Sequence, residues 1–330
     1  MSGHWRQRPE GGGRFAIGLI LAIVLRLGRP VGRVLLYPIT LYFLFRRSAE
    51  RRASMAYLRR VLGREPTLLD GARHVHTFAA TTLDRPLLLT KQLDRFDVRV
   101  HGVEHVHEMM KLDRGVLLLG AHLGSFEALR VLSLQYPAAR VAVLLERSQN
   151  PALTQLLEEL NPALASAVID LGLPPTELML RIKDEAERGA LIGLLGDRRR
   201  AGESGIAVPF LGDPAMFPVA PYLIAKALDI PVCLCFGLYG GGRRYDLRFE
   251  LFASRIELPR QGRQEALQQY VTRYAQRLEH HVRQAPYNWF NFYDFWIDDA
   301  PPLPDRRARP VMAAADPGVT ADADAGPSHA

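Results

Sequence analysis

The run GVLLLGAHLGSFEALR holds the two side chains best suited to proton transfer, His122 and, five residues on, Glu127. An imidazole can take a proton from an attacking hydroxyl, and a nearby carboxylate can fix its tautomer and stabilise the imidazolium that forms. The spacing itself says little, because ten histidines in this chain are enough to give one such pair by chance. Position says more. His122 ends an apolar run of buried-strand type, and open α/β sheets collect their chemistry at the carboxyl ends of strands. The plain alternative is a histidine that caps a strand, with Glu127 favourable at the start of a helix.

Two further polar residues follow apolar runs in the same way. Arg147 comes after RVAVLLER begins as a strand, and Asp197 closes ALIGLLGD. Either has a bland reading, Arg147 as a solvated charge and Asp197 as a turn cap. Arg198, Arg199 and Arg200 come next and form a charged loop or a contact for phosphate.

The elements that position these residues alternate. FDVRVHG, GVLLLGAH, RVAVLLER, SAVIDLG, ALIGLLGD, IPVCLCFGLYG and YDLRFELFA read as strands. Between them GVEHVHEMMKLDRG, LGSFEALRVLSLQY, PALTQLLEELN, PTELMLRIKDEAERG and FPVAPYLIAKALD read as helices, and EALQQYVTRYAQRLEHHVRQA is a long amphipathic one. Residues 48–93 are helical in pattern. The class is therefore α/β, a mixed and mostly parallel sheet covered by helices. From Ala300 the chain is rich in Pro, Ala, Asp and Gly without periodicity, and residues 300–330 read as a disordered tail.

Charge separates the chain's start from its body. Residues 1–60 carry twelve Arg against two Glu, so the remaining 270 residues, with 30 basic and 33 acidic side chains, are slightly acidic. A nucleic-acid enzyme spreads its basic surface over the folded body, so nucleic acid is excluded as a partner. The basic residues flank two uncharged apolar runs, Phe15–Leu25 and Val34–Phe45, each too short to span a bilayer. Joined into one span they would bury Arg26, Arg29 and Arg33, at roughly 2.5–3.5 kcal/mol each near the centre. Two helices broken near Gly28 and lying in the interface fit better, so residues 1–47 read as a membrane-associating segment and 48–299 as the catalytic α/β domain.

Other signals are discounted. His105 and His107, like His74 and His76, lie two apart and diverge on a helix. Cys233 and Cys235 share one strand face and read as packing, and neither a disulfide framework nor a metal site is expected. Gly240–Gly242 reads as a hairpin turn. The aromatic run Trp289–Trp296 reads as a core plug before it reads as a membrane belt.

AHLGSFE resembles the H-x4-acid motif of the bacterial lipid A biosynthesis (lauroyl/myristoyl) acyltransferases, of the lysophospholipid acyltransferase superfamily. ERSQNP, with Arg147, Asn150 and Pro151, is similar to the family's second block. LLGDRRRAGESGIAVPFLG is similar to the third, with Asp197 at a strand end and a Gly-rich loop leading to Pro209, Phe210 and Gly212; IPVCLCF is similar to the fourth. The likeness runs over roughly residues 10–300. It departs where Ala121, Phe126, Ser148 and Arg198 stand in place of the family's Asn, Trp, Pro and Gln. The C-terminal APYNWFNFYDFW looks more like relatives associated with glycolipid or aryl-polyene lipid assembly.

This resemblance implies a glycerolipid acyltransferase-like fold and a membrane-associated enzyme at the cytoplasmic face of the inner membrane. It implies no cofactor, acyl carrier protein as donor, and a lipid or glycolipid hydroxyl as acceptor. His122 would be the general base and Glu127 its orienter, with Arg147, Asn150, Asp197, Arg198, Pro209, Phe210 and Gly212 around the substrates. The acidic carrier would dock on the Arg198–Arg200 cluster. The chemistry agrees, because a thioester brings its own activated carbonyl and the enzyme supplies base, oxyanion donors and an apolar slot. A serine hydrolase would need G-x-S-x-G, which is absent. A lipid esterase of another design, or an adaptor keeping the fold without turnover, stands as the alternative.

Overall fold

The computed structural model describes residues 26, 28–89, 93–112, 114–127, 140–149, 151–160, 162–200 and 202–296. The apolar run Phe15–Leu25, the helix expected after Glu127, Asn150 and the tail from residue 300 lie outside these residues.

Seven strands form one sheet in the order β1-β9-β8-β2-β5-β3-β4. They are β1 (Asp97–His101), β2 (Val116–Gly120), β3 (Val141–Leu145), β4 (Val168–Asp170), β5 (Leu191–Leu195), β8 (Val232–Gly241) and β9 (Arg244–Ala253). All neighbouring pairs are parallel except β8 with β9, which the turn at Gly241 and Gly242, both at positive φ, joins as a hairpin. The mixed, mostly parallel α/β sheet is what the alternating pattern predicts. One element differs from expectation. The segment read as a Gly-rich loop folds as a separate antiparallel hairpin, β6 (Gly205–Phe210) with β7 (Asp213–Pro218).

Strand β2 is buried at every position, as its unbroken apolar run requires. Leu117 and Leu119 face one core layer with the long C-terminal helix Arg263–Gln284, whose Leu267, Val271, Tyr274, Leu278 and Val282 recur at helical spacing. Val116 and Leu118 face the other layer, with Cys233 and Cys235. Both thiols are packing groups, and burial pushes Cys233 up to about 12.

Among the described residues three α-helices precede the sheet: α1 (Arg29–Arg46), α2 (Ser48–Leu62) and α3 (Leu68–Leu89). Helix α1 starts just after Gly28, which has φ at +84°, with Pro30 in its first turn; the helix expected before it lies outside the described residues. Helix α1 buries Gly32, Leu36, Thr40 and Leu44, four residues apart, and Leu36 belongs to the same core layer as α3. The boundary at residue 47 is thus no break in packing. Arg29 and Arg33, which the sequence puts in the membrane-associating segment, bind Asp84 of α3. Arg29 reaches both oxygens, at 2.7 and 2.9 Å, and Arg33 one at 3.0 Å, while Tyr245 donates its hydroxyl at 2.9 Å. A carboxylate with no exposed surface needs countercharges, and two guanidiniums of α1 supply them. Among the described residues no helix is long and apolar enough to cross a membrane.

Candidate active site

The register of two adjacent strands assembles the site. Gly120 of β2 is the partner of Leu195 of β5. Counting two residues beyond each partner gives His122 and Asp197. Parallel strands run about 4.8 Å apart, so two side chains leaving at the same level meet. His122 Nδ1 lies 2.8 Å from Asp197 Oδ1, and the His122 backbone N–H donates to Oδ2 at 3.1 Å.

Local geometry sends the chain past His122 along the sheet. Gly124 sits at φ +73°, and a Cβ there would run into the Gly237 carbonyl oxygen of β8. A Cβ on Gly237 would in turn strike the Ser125 carbonyl. This backbone-on-backbone approach lets Ser125 N–H donate to Gly237 O at 2.7 Å and Gly124 N–H to Asn288 O at 2.8 Å.

Asp197 is fully buried, and Trp289 donates its indole N–H to Oδ2 at 2.9 Å. Burial alone would raise this carboxyl, but His122, Arg198 and the indole outweigh it and hold Asp197 well below the usual carboxylate range. The His122 side chain is about one-third exposed (33%). Partial desolvation, then Arg198, lowers its imidazole against the raising pull of Asp197, and Arg85 adds to the lowering. With Nδ1 on a carboxylate, the ring proton sits on Nδ1. Nε2 then presents its lone pair, with no hydrogen-bond partner among the described residues. The geometry is that of an oriented, neutral base.

The carboxylate that the imidazole meets is that of Asp197 and not that of Glu127. Ser125 Oγ donates to Glu127 Oε2 at 2.9 Å, and Arg85 Nε holds Oε1 at 3.0 Å. A permanent guanidinium outcompetes a neutral imidazole for the carboxylate, so Glu127 fastens the loop to α3. Arg147 stands two strands from His122. Its guanidinium donates to Ala165 O at 3.1 Å and pairs with Glu158 at 3.7 Å.

Phe210 is wholly buried, its ring 5.2 Å from Trp289, and so belongs to the core instead of a substrate wall. Pro209 is exposed in β6, and Gly212, at φ +95°, makes the β6–β7 turn. Arg198 does reach the site, donating to Phe290 O at 2.6 Å beneath the Tyr293 ring. Arg199 donates to Glu203 O, the Arg200 backbone N–H donates to Glu203 Oε2, and Arg200 Nε donates to Glu146 Oε2. The cluster is thus engaged both within its own loop and on Glu146 and Phe290 outside it. The discounted His74 is a buried core residue, pushed down to about 4 by burial. No group of three or more metal-ligating side chains occurs among the described residues.

Sequence reasoning missed Trp289, Arg85 and Ser125, and gave Asp197 no share in orienting the base. A usable signal was present. Two buried runs, GVLLLGAH and ALIGLLGD, each end on a titratable residue, and if the strands are parallel neighbours those residues meet.

A family model described as bacterial lipid A biosynthesis acyltransferase matches residues 74–297. Comparison with curated proteins finds no match.

Proposed function

The chain belongs to the bacterial lipid A biosynthesis acyltransferase family and is a lipid acyltransferase; from that premise we propose that it moves a fatty acyl group from acyl carrier protein to a hydroxyl of a lipid or glycolipid acceptor, with His122 as general base. The observation that carries the reading is the free Nε2 of an imidazole whose Nδ1 rests on buried Asp197. The acceptor hydroxyl gives its proton to Nε2 as its oxygen attacks the thioester carbonyl. The tetrahedral adduct collapses with cleavage of the C–S bond, and the leaving thiolate takes the proton from the imidazolium. The charge this creates on His122 is matched by Asp197, held ionised by burial-resistant hydrogen bonds.

The reaction is placed at the cytoplasmic face of the inner membrane, where lipid acceptor and soluble carrier meet. Support comes from α1, whose outer face leaves Val34, Tyr37, Leu41 and Phe45 more than half exposed, beside exposed Leu68 and Leu69 at the start of α3. A contiguous apolar stripe flanked by Arg46, Arg47, Arg51 and Arg52 suits an anionic lipid interface. The test is transfer of radiolabel from acyl carrier protein thioester to host lipid extract by the purified protein. Label should enter lipid with the native chain and not with His122→Ala. Label released as free fatty acid by the native chain would make water the acceptor and the protein a hydrolase.

A further inference from the structure

We propose that Trp289 is a positioning residue of the acyl-transfer centre, its indole N–H fixing the Asp197 carboxylate so that one oxygen is reserved for His122. The inference rests on the reading of His122 as base and adds the group that sets the base's partner.

An aromatic core plug needs only apolar neighbours, and Trp289 has them. It is 1% exposed, with Tyr57, Phe210 and Phe295 rings about it at 5.1, 5.2 and 5.0 Å. Packing does not require that its one polar atom meet a buried charge, yet Nε1 lies 2.9 Å from Asp197 Oδ2. The two carboxylate oxygens are thereby divided. Oδ2 takes the indole N–H and the His122 backbone N–H, and Oδ1 takes the imidazole. Two donors on one oxygen oppose rotation of the carboxylate, so the imidazole meets a fixed acceptor.

The backbone around Trp289 holds the other side of the pair. Leu123 and Trp289 form an antiparallel bridge, and Phe290 N–H donates to His122 O at 2.9 Å. Asn288 brackets Tyr239 of β8, accepting its N–H at 2.6 Å and donating to its carbonyl at 3.2 Å. The Trp289 carbonyl accepts from His74 Nε2 at 2.9 Å. Three consecutive residues, Asn288, Trp289 and Phe290, therefore grip β8, α3, the His122 loop and Asp197 at once.

Trp289→Phe removes the N–H and keeps an aromatic ring. With fewer donors, Asp197 concentrates its charge on the imidazolium. The charged groups facing His122, namely Arg198 and Arg85 against it and Asp197 for it, stay in place, and Tyr274 near Asp197 stays neutral. The expected result is a fall in kcat of about tenfold, with KM for the carrier thioester within about twofold. The acid limb of the kcat/KM profile moves to higher pH, and the 15N-histidine titration of His122 moves with it.

Phe295→Leu is the packing control, since it loosens the same ring cluster and leaves the N–H. Unchanged kcat and an unmoved His122 titration in Trp289→Phe overturn the inference, as does the same shift in Phe295→Leu at matched Tm. If Trp289→Phe does not fold, 3-benzothienylalanine at position 289 keeps the bicyclic shape without the N–H and is read by the same titration. Full turnover in His122→Ala would instead sink the base assignment, whatever Trp289 does.

Discussion

The Nδ1 of His122 and the Oδ1 of Asp197 lie 2.8 Å apart because their strands, β2 and β5, are in register two residues earlier, at Gly120 and Leu195. A contact set by sheet register is rigid in a way that a contact within one loop is not. Sliding either strand would break the whole ladder from Val116–Leu191 onward. This makes Asp197 the side chain whose loss is felt most at the imidazole.

Asp197→Asn should lower kcat/KM by about 10²–10⁴, the range of a general base lost or held in the wrong tautomer. Glu127→Gln should cost less, because its carboxylate serves Ser125 and Arg85 and not the imidazole. Steady-state kinetics of the two variants, with folding checked by Tm, reads the order. A larger loss in Glu127→Gln would return the orienting role to Glu127.

The pH profile follows from the electrostatics. Desolvation and Arg198 hold His122 below the ordinary imidazole value, so the neutral, competent form persists to lower pH than in a free histidine. The plateau of kcat/KM should therefore extend below about 6.5 on the acid side. Arg198→Gln removes the second largest lowering influence and should move that limb upward. A limb that stays put would mean the guanidinium is screened from the ring.

The sheet was legible from hydrophobic pattern alone, and its strand ends pointed to His122 and Asp197. What the sequence hid was pairing across long separations. No local rule links Trp289 to Asp197, 92 residues away, or Arg29 to Asp84, 55 residues away. The H-x4-acid spacing drew attention to Glu127, since five residues is close in sequence, while the true partner came from the next strand. The β6–β7 hairpin was hidden by its own composition, since Gly, Glu and Pro within GESGIAVPFLGDPAMFP read as loop residues.

His74 offers a stability test separate from catalysis. Its pKa in the folded protein is pushed down to about 4 by burial, against about 6.5 unfolded. A group depressed on folding contributes its full stability above the unfolded value and loses it as pH falls towards the folded one. Urea unfolding should thus show stability dropping between about pH 6.5 and 4, by about 3 kcal/mol for this one proton. His74→Gln should flatten the slope in that window. An unchanged slope would assign the acid sensitivity elsewhere.

Asp84 ties α1 to the body, and its variant should show it. Asp84→Asn leaves Arg29 and Arg33, only 14% and 19% exposed, without their countercharge. Breaking such a pair from one side costs about 3–5 kcal/mol. Chemical denaturation should show a loss of that size, and the double exchange of Arg29 and Arg33 to Met should recover part of it. Removal of residues 1–47 would strip both arginines from Asp84 and uncover Leu36's place in the core. A truncated chain should therefore aggregate, which makes truncation a poor assay of membrane attachment.

Attachment is better read from the outer face of α1, where side chains can change without touching the core. Val34, Tyr37, Leu41 and Phe45 are 65%, 65%, 53% and 74% exposed, while Gly32, Leu36, Thr40 and Leu44 carry the packing on α3. Replacing the four exposed residues with Ser removes apolar area available for burial in the acyl boundary and leaves the Asp84 pairs intact. At about 25 cal/mol per Å2 of area lost, four such side chains outweigh what the neighbouring arginines can supply alone. Sedimentation with vesicles rich in phosphatidylglycerol should show the native chain bound and the variant mostly free at physiological salt, with Tm unchanged. High salt should release part of the native protein, because the arginine contribution is screened and the apolar one is not. If the variant stays bound and only detergent frees it, attachment resides before residue 26 and the α1 face is not what holds the enzyme at the membrane.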